Sequence, residues 1–300
     1  MRVFLTGASG YIGSAVAEAL QAAGHEVIGL ARSEEQARQL AERGLRPHRG
    51  DLLQPETVAA GARAADAAIH TANTGGANAA AADIAATRAM LRALAGSPKP
   101  FLYTSGVWVL GSTGDRIADE SSPLQPTPLV AYRAALEQEV LSGKERGPRV
   151  IVIRPADVYG RGGGLLRMLT QSARETGAAR YVGDGRNRWS FVEVEDLARL
   201  YVLALEKAPA GSLFHAAHGP AVRMRELAEA ASLGAGAGGK TAAWPLEEAR
   251  KTLGAFADAL ALDQQVSGAK AERELGWQPR GRPVLEDLRA GSYAWQGAGA

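Results

Sequence analysis

Cysteine is absent from the 300 residues. That removes disulfides, thiolate metal ligands and a cysteine nucleophile together, and it fits a reducing compartment. No apolar run reaches the roughly 20 residues of a membrane span. The first residues enter a strand with no basic start, apolar stretch and cleavage site of a signal peptide, so a cytoplasmic protein is expected. Excess charge is missing too. The 34 Lys and Arg against 32 Asp and Glu leave +2, which gives no case for nucleic acid or an anionic membrane as partner. His70, His215 and His218 lack the spacing and acidic company of a metal site, so no metal is expected. No serine sits in a G-x-S-x-G frame on a strand-to-helix turn, which speaks against hydrolase chemistry.

What is present is an alternation. "RVFLTG", "EVIGLAR", "RPHRGDL", "DAAIHTA", "PFLYTSG" and "RVIVIRP" are compact apolar runs bounded by turn residues, and they read as strands. Alanine- and leucine-rich segments of helical length lie between them, at 14–23, 34–43, 55–62, 79–95 and 129–142. Strand and helix repeated in this way predict an α/β fold, a doubly wound parallel sheet covered on both faces. Ligands on such sheets sit beyond the carboxyl ends of the strands, where the winding reverses. After Arg154 the alternation becomes irregular. "RWSFVEVEDLARLYVLALEK" reads as a strand leading into a helix, "GSLFHAAHG" as a short strand, and "LGAGAGGKTAAWP" as a flexible connection before a glycine–alanine end. The expected division is a nucleotide-binding domain over 1–157 and a smaller substrate lobe over 158–300, interleaved with the main sheet.

The opening "MRVFLTGASGYIGSAVAEAL" sets Gly7, Gly10 and Gly13 after a strand and at the start of a helix. That context makes the pattern a dinucleotide-binding hypothesis. One glycine permits the turn, one lets the backbone approach a pyrophosphate, and one lets helix pack on strand. The helix N-terminus offers free N–H groups and partial positive charge to the phosphates. At the end of the second strand stands Arg32, with Ser33 beside it and no acid until Glu34. A guanidinium suits a 2′-phosphate, so NADP is expected over NAD.

The whole pattern resembles the extended branch of the short-chain dehydrogenase/reductase superfamily. T-G-x-x-G-x-x-G runs from Thr6 to Gly13, and Arg32 falls where NADP-dependent dihydroflavonol-reductase-like members carry an arginine. "GDL" at 50–52 matches the turn near the adenine, and "HTAN" at 70–73 the turn along the cofactor. "RPADVYGRGG" at 154–163 is similar to the segment flanking the nicotinamide, and "FVEVEDLA" and "ERELGWQP" match later motifs. The resemblance implies cofactor contacts from Thr6, Gly7, Gly10, Tyr11, Ile12, Gly13, Arg32, Ser33, Asp51, Leu52, Thr71, Ala72, Asn73, Thr104, Tyr132, Pro155 and Val158. It also implies a possible-partner surface, a homodimer built on the helices of 79–95 and 129–142.

The catalytic positions of the resemblance fit less well. Family members carry a tyrosine with a lysine four residues on, one helical turn away on the same face. The lysine acidifies the phenol, which exchanges a proton with the substrate oxygen. Tyr132 is followed at that spacing by Leu136, and the family's serine position is Gly106, with Ser105 one residue early. The catalytic candidates are therefore Tyr132, Ser105 and His70. Tyr132 has an alternative as cleft packing, and His70 as a structural residue at a strand end. Tyr159 ranks behind Tyr132. Asp115, Asp119 and Glu120 precede Tyr132 in a loop that could face substrate. Sugar-nucleotide members carry an arginine where this chain has Trp189, with Arg186 and Arg188 nearby. An indole there points to a small, largely apolar substrate. Three readings stay open: an NADP-dependent reductase of a carbonyl or imine, a catalytically reduced NADP-binding sensor, and a sugar-nucleotide epimerase or dehydratase.

Overall fold

The computed structural model describes residues 1–295; the last residues of the glycine–alanine end lie outside the described residues. The first half alternates β1 (Arg2–Thr6), α1 (Tyr11–Ala22), β2 (Glu26–Ala31), α2 (Glu34–Glu42), β3 (Arg46–Arg49), α3 (Pro55–Ala64), β4 (Ala67–His70), α4 (Ala79–Leu94) and β5 (Pro100–Thr104). Then come α5 (Ala131–Ser142), β6 (Arg149–Pro155), β7 (Asp157–Tyr159), α6 (Leu166–Thr176), β8 (Ala179–Val182), β9 (Arg188–Trp189), β10 (Phe191–Glu193), α7 (Val194–Lys207) and β11 (Ser212–Ala216). The chain ends with β12 (Val222–Arg223), α8 (Met224–Gly234), β13 (Thr241–Trp244), α9 (Leu246–Leu253), α10 (Ala255–Leu260), α11 (Ala269–Leu275) and α12 (Val284–Ala290).

Seven strands form one parallel sheet in the order β11-β6-β5-β4-β1-β2-β3. Winding reverses between β1 and β4, which fixes the crevice for a ligand at their carboxyl ends. Strand alternation sorts the core. Val3 and Leu5 of β1 join the side covered by α1, α2 and α7, while Phe4 faces α3, α4 and α5. Both faces are therefore apolar, as a buried parallel strand requires.

The later chain does not stay in a separate lobe. β11 pairs with β6 in the main sheet and α7 packs on α1, while β8, β13, α6 and α8 enclose a second core around Tyr181, Trp189 and Leu227. The stretch expected to be a flexible connection contains order: Thr241–Trp244 pairs parallel with Ala179–Val182. Gly236, Gly238 and Gly239 make the turn before it with positive φ, so the glycines shape a connection into a short strand that composition alone hid.

Candidate active site

The phosphate-binding end of the cleft is made of backbone. Gly7 sits at φ +78°, and its carbonyl accepts from Gly10 N at 2.8 Å. A Cβ on Gly13 would stand 2.0 Å from Gly7 O, so only glycine lets α1 press against the loop. Thr71 closes the other side, donating through Oγ1 to Thr6 O at 2.8 Å, and Ala72 backs Gly7 so closely that a Cβ there would meet its backbone at 2.9 Å. Gly10 caps α1 with no side chain, leaving the first N–H groups free for a pyrophosphate. These features fit a dinucleotide.

At the adenosine end, Arg32 is exposed and its guanidinium makes no hydrogen bond or ion pair among the described residues. Ser33 caps α2 by accepting from Gln36 N. The nearest acid, Glu34, is held by Arg49 at 2.8 Å. Asp51 accepts from Leu53 N within its own turn, and Leu52 is buried beneath it.

From the glycine loop a cavity of about 740 Å³ runs along the carboxyl edge. Tyr11, Ile12, Asn73, Thr104, Tyr132, Pro155 and Val158, all expected near the cofactor, lie on its wall. Ser105 and Gly106 are on the wall as well, because the chain leaves β5 into a short turn at Val107–Leu110 rather than continuing extended. The Ser105 hydroxyl is buried and has no hydrogen-bond partner.

Beneath this wall lies a network centred on Asp83 of α4, which is 3% exposed. Its Oδ2 accepts from Tyr132 Oη at 2.9 Å, Tyr103 Oη at 3.2 Å and the Arg133 guanidinium at 3.1 Å. Its Oδ1 lies 3.1 Å from His70 Nε2. Burial pushes the Asp83 carboxyl up, but hydrogen bonding to His70 and the charges of His70 and Arg133 outweigh it and hold the group below the usual range. His70 Nδ1 is 2.6 Å from Thr6 Oγ1. With both ring nitrogens engaged and 1% exposure, His70 lies beneath the cavity wall rather than on it.

The cation expected four residues after Tyr132 is displaced. Leu136 is packed in the core, whereas Arg133 reaches the wall and its Nε donates to Tyr132 Oη at 3.0 Å. Arg133 also donates to the carbonyls of Thr104 and Ser105, at 3.2 and 2.9 Å, so it fixes the end of β5. The Tyr132 hydroxyl thus gives its one proton to Asp83. Burial, reinforced by the Asp83 charge, outweighs Arg133 and moves the phenol up, making it a poorer acid.

Besides the Ser105 hydroxyl, the unpartnered side-chain oxygens on the wall are those of Asp157, the one carboxyl side chain there among the described residues. Its side chain makes no hydrogen bond or ion pair there, and burial pushes its carboxyl up to about 7. The remaining acids are occupied elsewhere. Asp115 pairs with Arg188, Asp119 holds the turn at Ser121, and Glu120 accepts from His215 N. Arg188 is further paired with Asp263 at 2.7 Å and Arg186 with Asp184 at 2.6 Å, and neither arginine is on this wall. Tyr159 donates to Arg282 O and, like Trp189, is off this wall.

Asp83, Arg133 and Asp157 were not among the residues the sequence singled out. Signals existed for each: a lone carboxylate in the alanine run "AAAADIAATR", a cation next to Tyr132, and the acid inside "RPADVYG".

Comparison with known proteins sets this site in a family. The model of the NAD dependent epimerase/dehydratase family matches residues 3–217. An uncharacterized protein of Saccharomyces cerevisiae is 36% identical over 97% of this chain and 98% of its own. The 4-hydroxy-2-methyl-3-oxo-4-farnesyl-3,4-dihydroquinoline-1-oxide ketoreductase of Stigmatella aurantiaca is 30% identical over 99% and 98%. A dTDP-glucose 4,6-dehydratase of Streptomyces venezuelae, solved with NAD, superimposes with TM-score 0.82 at 25% identity, covering 98% of this chain and 96% of that one. With the glycine loop, the sheet order and nearly full-length similarity in agreement, the chain belongs to the NAD-dependent epimerase/dehydratase family of extended short-chain dehydrogenases/reductases, and a nicotinamide cofactor follows from that membership.

Proposed function

We propose that the chain is an NADP-dependent oxidoreductase that reduces a carbonyl or imine on a small, largely apolar substrate. The observation that carries this reading is Asp157, an unpartnered carboxyl on the wall of an otherwise mainly apolar cavity. The Stigmatella relative, by its name a ketoreductase of a farnesylated quinoline, supports carbonyl reduction. Paired Arg186 and Arg188 speak against a sugar nucleotide.

NADPH, when bound, supplies the hydride. Asp157 would give its proton to the carbonyl oxygen of a substrate reduced there, and water from the open side of the cavity would restore the acid. An acid titrating near the working pH is suited to this transfer. Tyr132 and Arg133, tied to Asp83, hold the end of β5 in place as a fixed wall. Free Arg32 takes the 2′-phosphate of NADP, while Glu34, turned to Arg49, does not repel it. Ala81 and Ala85 of α4 and Ala131 and Ala135 of α5 leave small, accessible positions, which supports a homodimer through these helices.

The test is a single-turnover assay with NADPH and a panel of ketones, aldehydes and cyclic imines, read by loss of the reduced nicotinamide absorbance. Asp157→Asn should lower the rate by about 10²–10⁴-fold with NADPH binding retained. The wild-type rate should fall as pH rises through about 7, where the acid form is lost, and that dependence should vanish in the variant. A Tyr132→Phe variant losing more than Asp157→Asn would return the proton to Tyr132. Tight NADPH binding without oxidation across the panel would favour the sensor reading.

A further inference from the structure

A second cavity, of about 190 Å³, lies in the smaller core between α6, β8, β13 and α9. Its walls are leucine, methionine and tryptophan, with Leu169, Met224, Leu253 and Leu260 among them. The cavity opens to the surface, with Met168 and Arg180 exposed on its wall. The wall also holds an unsatisfied donor. Trp189 is 3% exposed, and its Nε1–H finds no acceptor. Buried polar groups are usually paired, so an unpartnered indole N–H on an apolar wall is an uncommon feature.

Leu165 is on the wall of this cavity and also on that of the main cavity, where it neighbours Gly164 and Val158. Phe256 faces the main cavity, while Leu253 and Leu260 on either side of it in the chain face the second. Leu165 and the segment from Leu253 to Leu260, which turns at Gly254 between α9 and α10, thus border both spaces.

We propose that the second cavity binds the aliphatic tail of the substrate whose carbonyl is reduced in the first, so that the enzyme selects carbonyl compounds bearing an unbranched hydrocarbon chain. This rests on the reductase reading for the chemistry, but not for the binding. Entry requires Leu165 to change rotamer. Burial of each added methylene should tighten binding by about four-fold, from roughly 0.8 kcal/mol per CH₂, until the cavity is full. Arg180, the cation on this wall among the described residues, stacks on Trp244 at 3.6 Å.

The experiment takes the holoprotein with NADP⁺ and measures binding of 2-alkanones from butanone to decanone by calorimetry. It repeats the series for turnover with NADPH. Leu253→Trp fills the cavity from α9 and Leu169→Phe from α6; thermal unfolding confirms that each folds. The expected result is affinity and kcat/KM rising with chain length in the wild type, and a flat series in both variants with butanone unchanged. A steep binding series without turnover would uphold the tail site and sink the reductase reading. Turnover without chain-length dependence, a steep series persisting in both filled variants, or no binding at any length would overturn the tail site.

Discussion

The two ends of the cleft are built from different materials. The phosphate end is backbone: a glycine turn, an uncapped helix start and a threonine closing the loop. The reaction end is side chains drawn from α4, α5, β4 and β5 onto one buried carboxylate. A backbone site is specified mostly by the consecutive residues Thr6–Gly13, with Thr71 and Ala72 closing it, because only glycine satisfies its close approaches. A side-chain site is specified by tertiary contacts, here across 13 residues from His70 to Asp83 and 49 from Asp83 to Tyr132. Local spacing writes the first kind into the sequence and leaves the second nearly silent.

Removing Asp83 should break this contrast most severely. Asp83→Leu removes the carboxylate partner of Arg133, leaving it the Thr104 and Ser105 carbonyls, and leaves His70 Nε2 unpaired; losing the partner of a buried charge costs about 3–5 kcal/mol. Urea unfolding should show the loss as a lower midpoint at unchanged slope. Asp83→Asn, which keeps the shape and one acceptor, should lose less. If Asp83→Leu unfolds like the wild type, the network is not what holds the reaction end together.

Arg32 sharpens the contrast at the other end. A free guanidinium gains little from folding, so Arg32→Ala should leave stability within about 0.5 kcal/mol. Its effect should fall on cofactor choice. Hydrogen bonds to a charged group contribute about 1.5–3 kcal/mol, so the NADPH-over-NADH preference should drop roughly 10- to 150-fold. Measured dissociation constants for both cofactors check this, and a preference unchanged by the substitution would remove the arginine's assignment.

How far the molecule was legible follows the same division. The parallel sheet could be read because each strand is a short apolar run between turn residues, and α2, α4 and α5 lie within a few residues of their expected bounds. Strand Thr241–Trp244 was missed because three glycines dominate its surroundings and its partner strand lies some 60 residues earlier. At the site, Leu136 marked the missing lysine, but helical spacing alone did not show that the neighbouring Arg133 turns toward the phenol. Asp157 was passed over inside a matched motif. Only the folded chain shows that nothing pairs with it.

Gly106 carries the smallest effect and the finest distinction. It stands where the resemblance implies a serine, yet its φ of 174° is extended backbone that any residue adopts, and a Cβ there meets nothing within 4 Å. Gly106→Ser should therefore fold as well as the wild type, gaining up to about 1 kcal/mol from a less flexible unfolded chain. The new hydroxyl would stand on the wall of the main cavity. If Asp157 already supplies the proton, the serine adds only a hydrogen bond to substrate, and the pH at which activity falls should stay near 7 while KM drops. A rise in kcat with loss of the pH dependence would instead mean that the reaction end lacks a donor which the serine restores, and the reductase would then be a weakened member of its family rather than one rebuilt around a different acid.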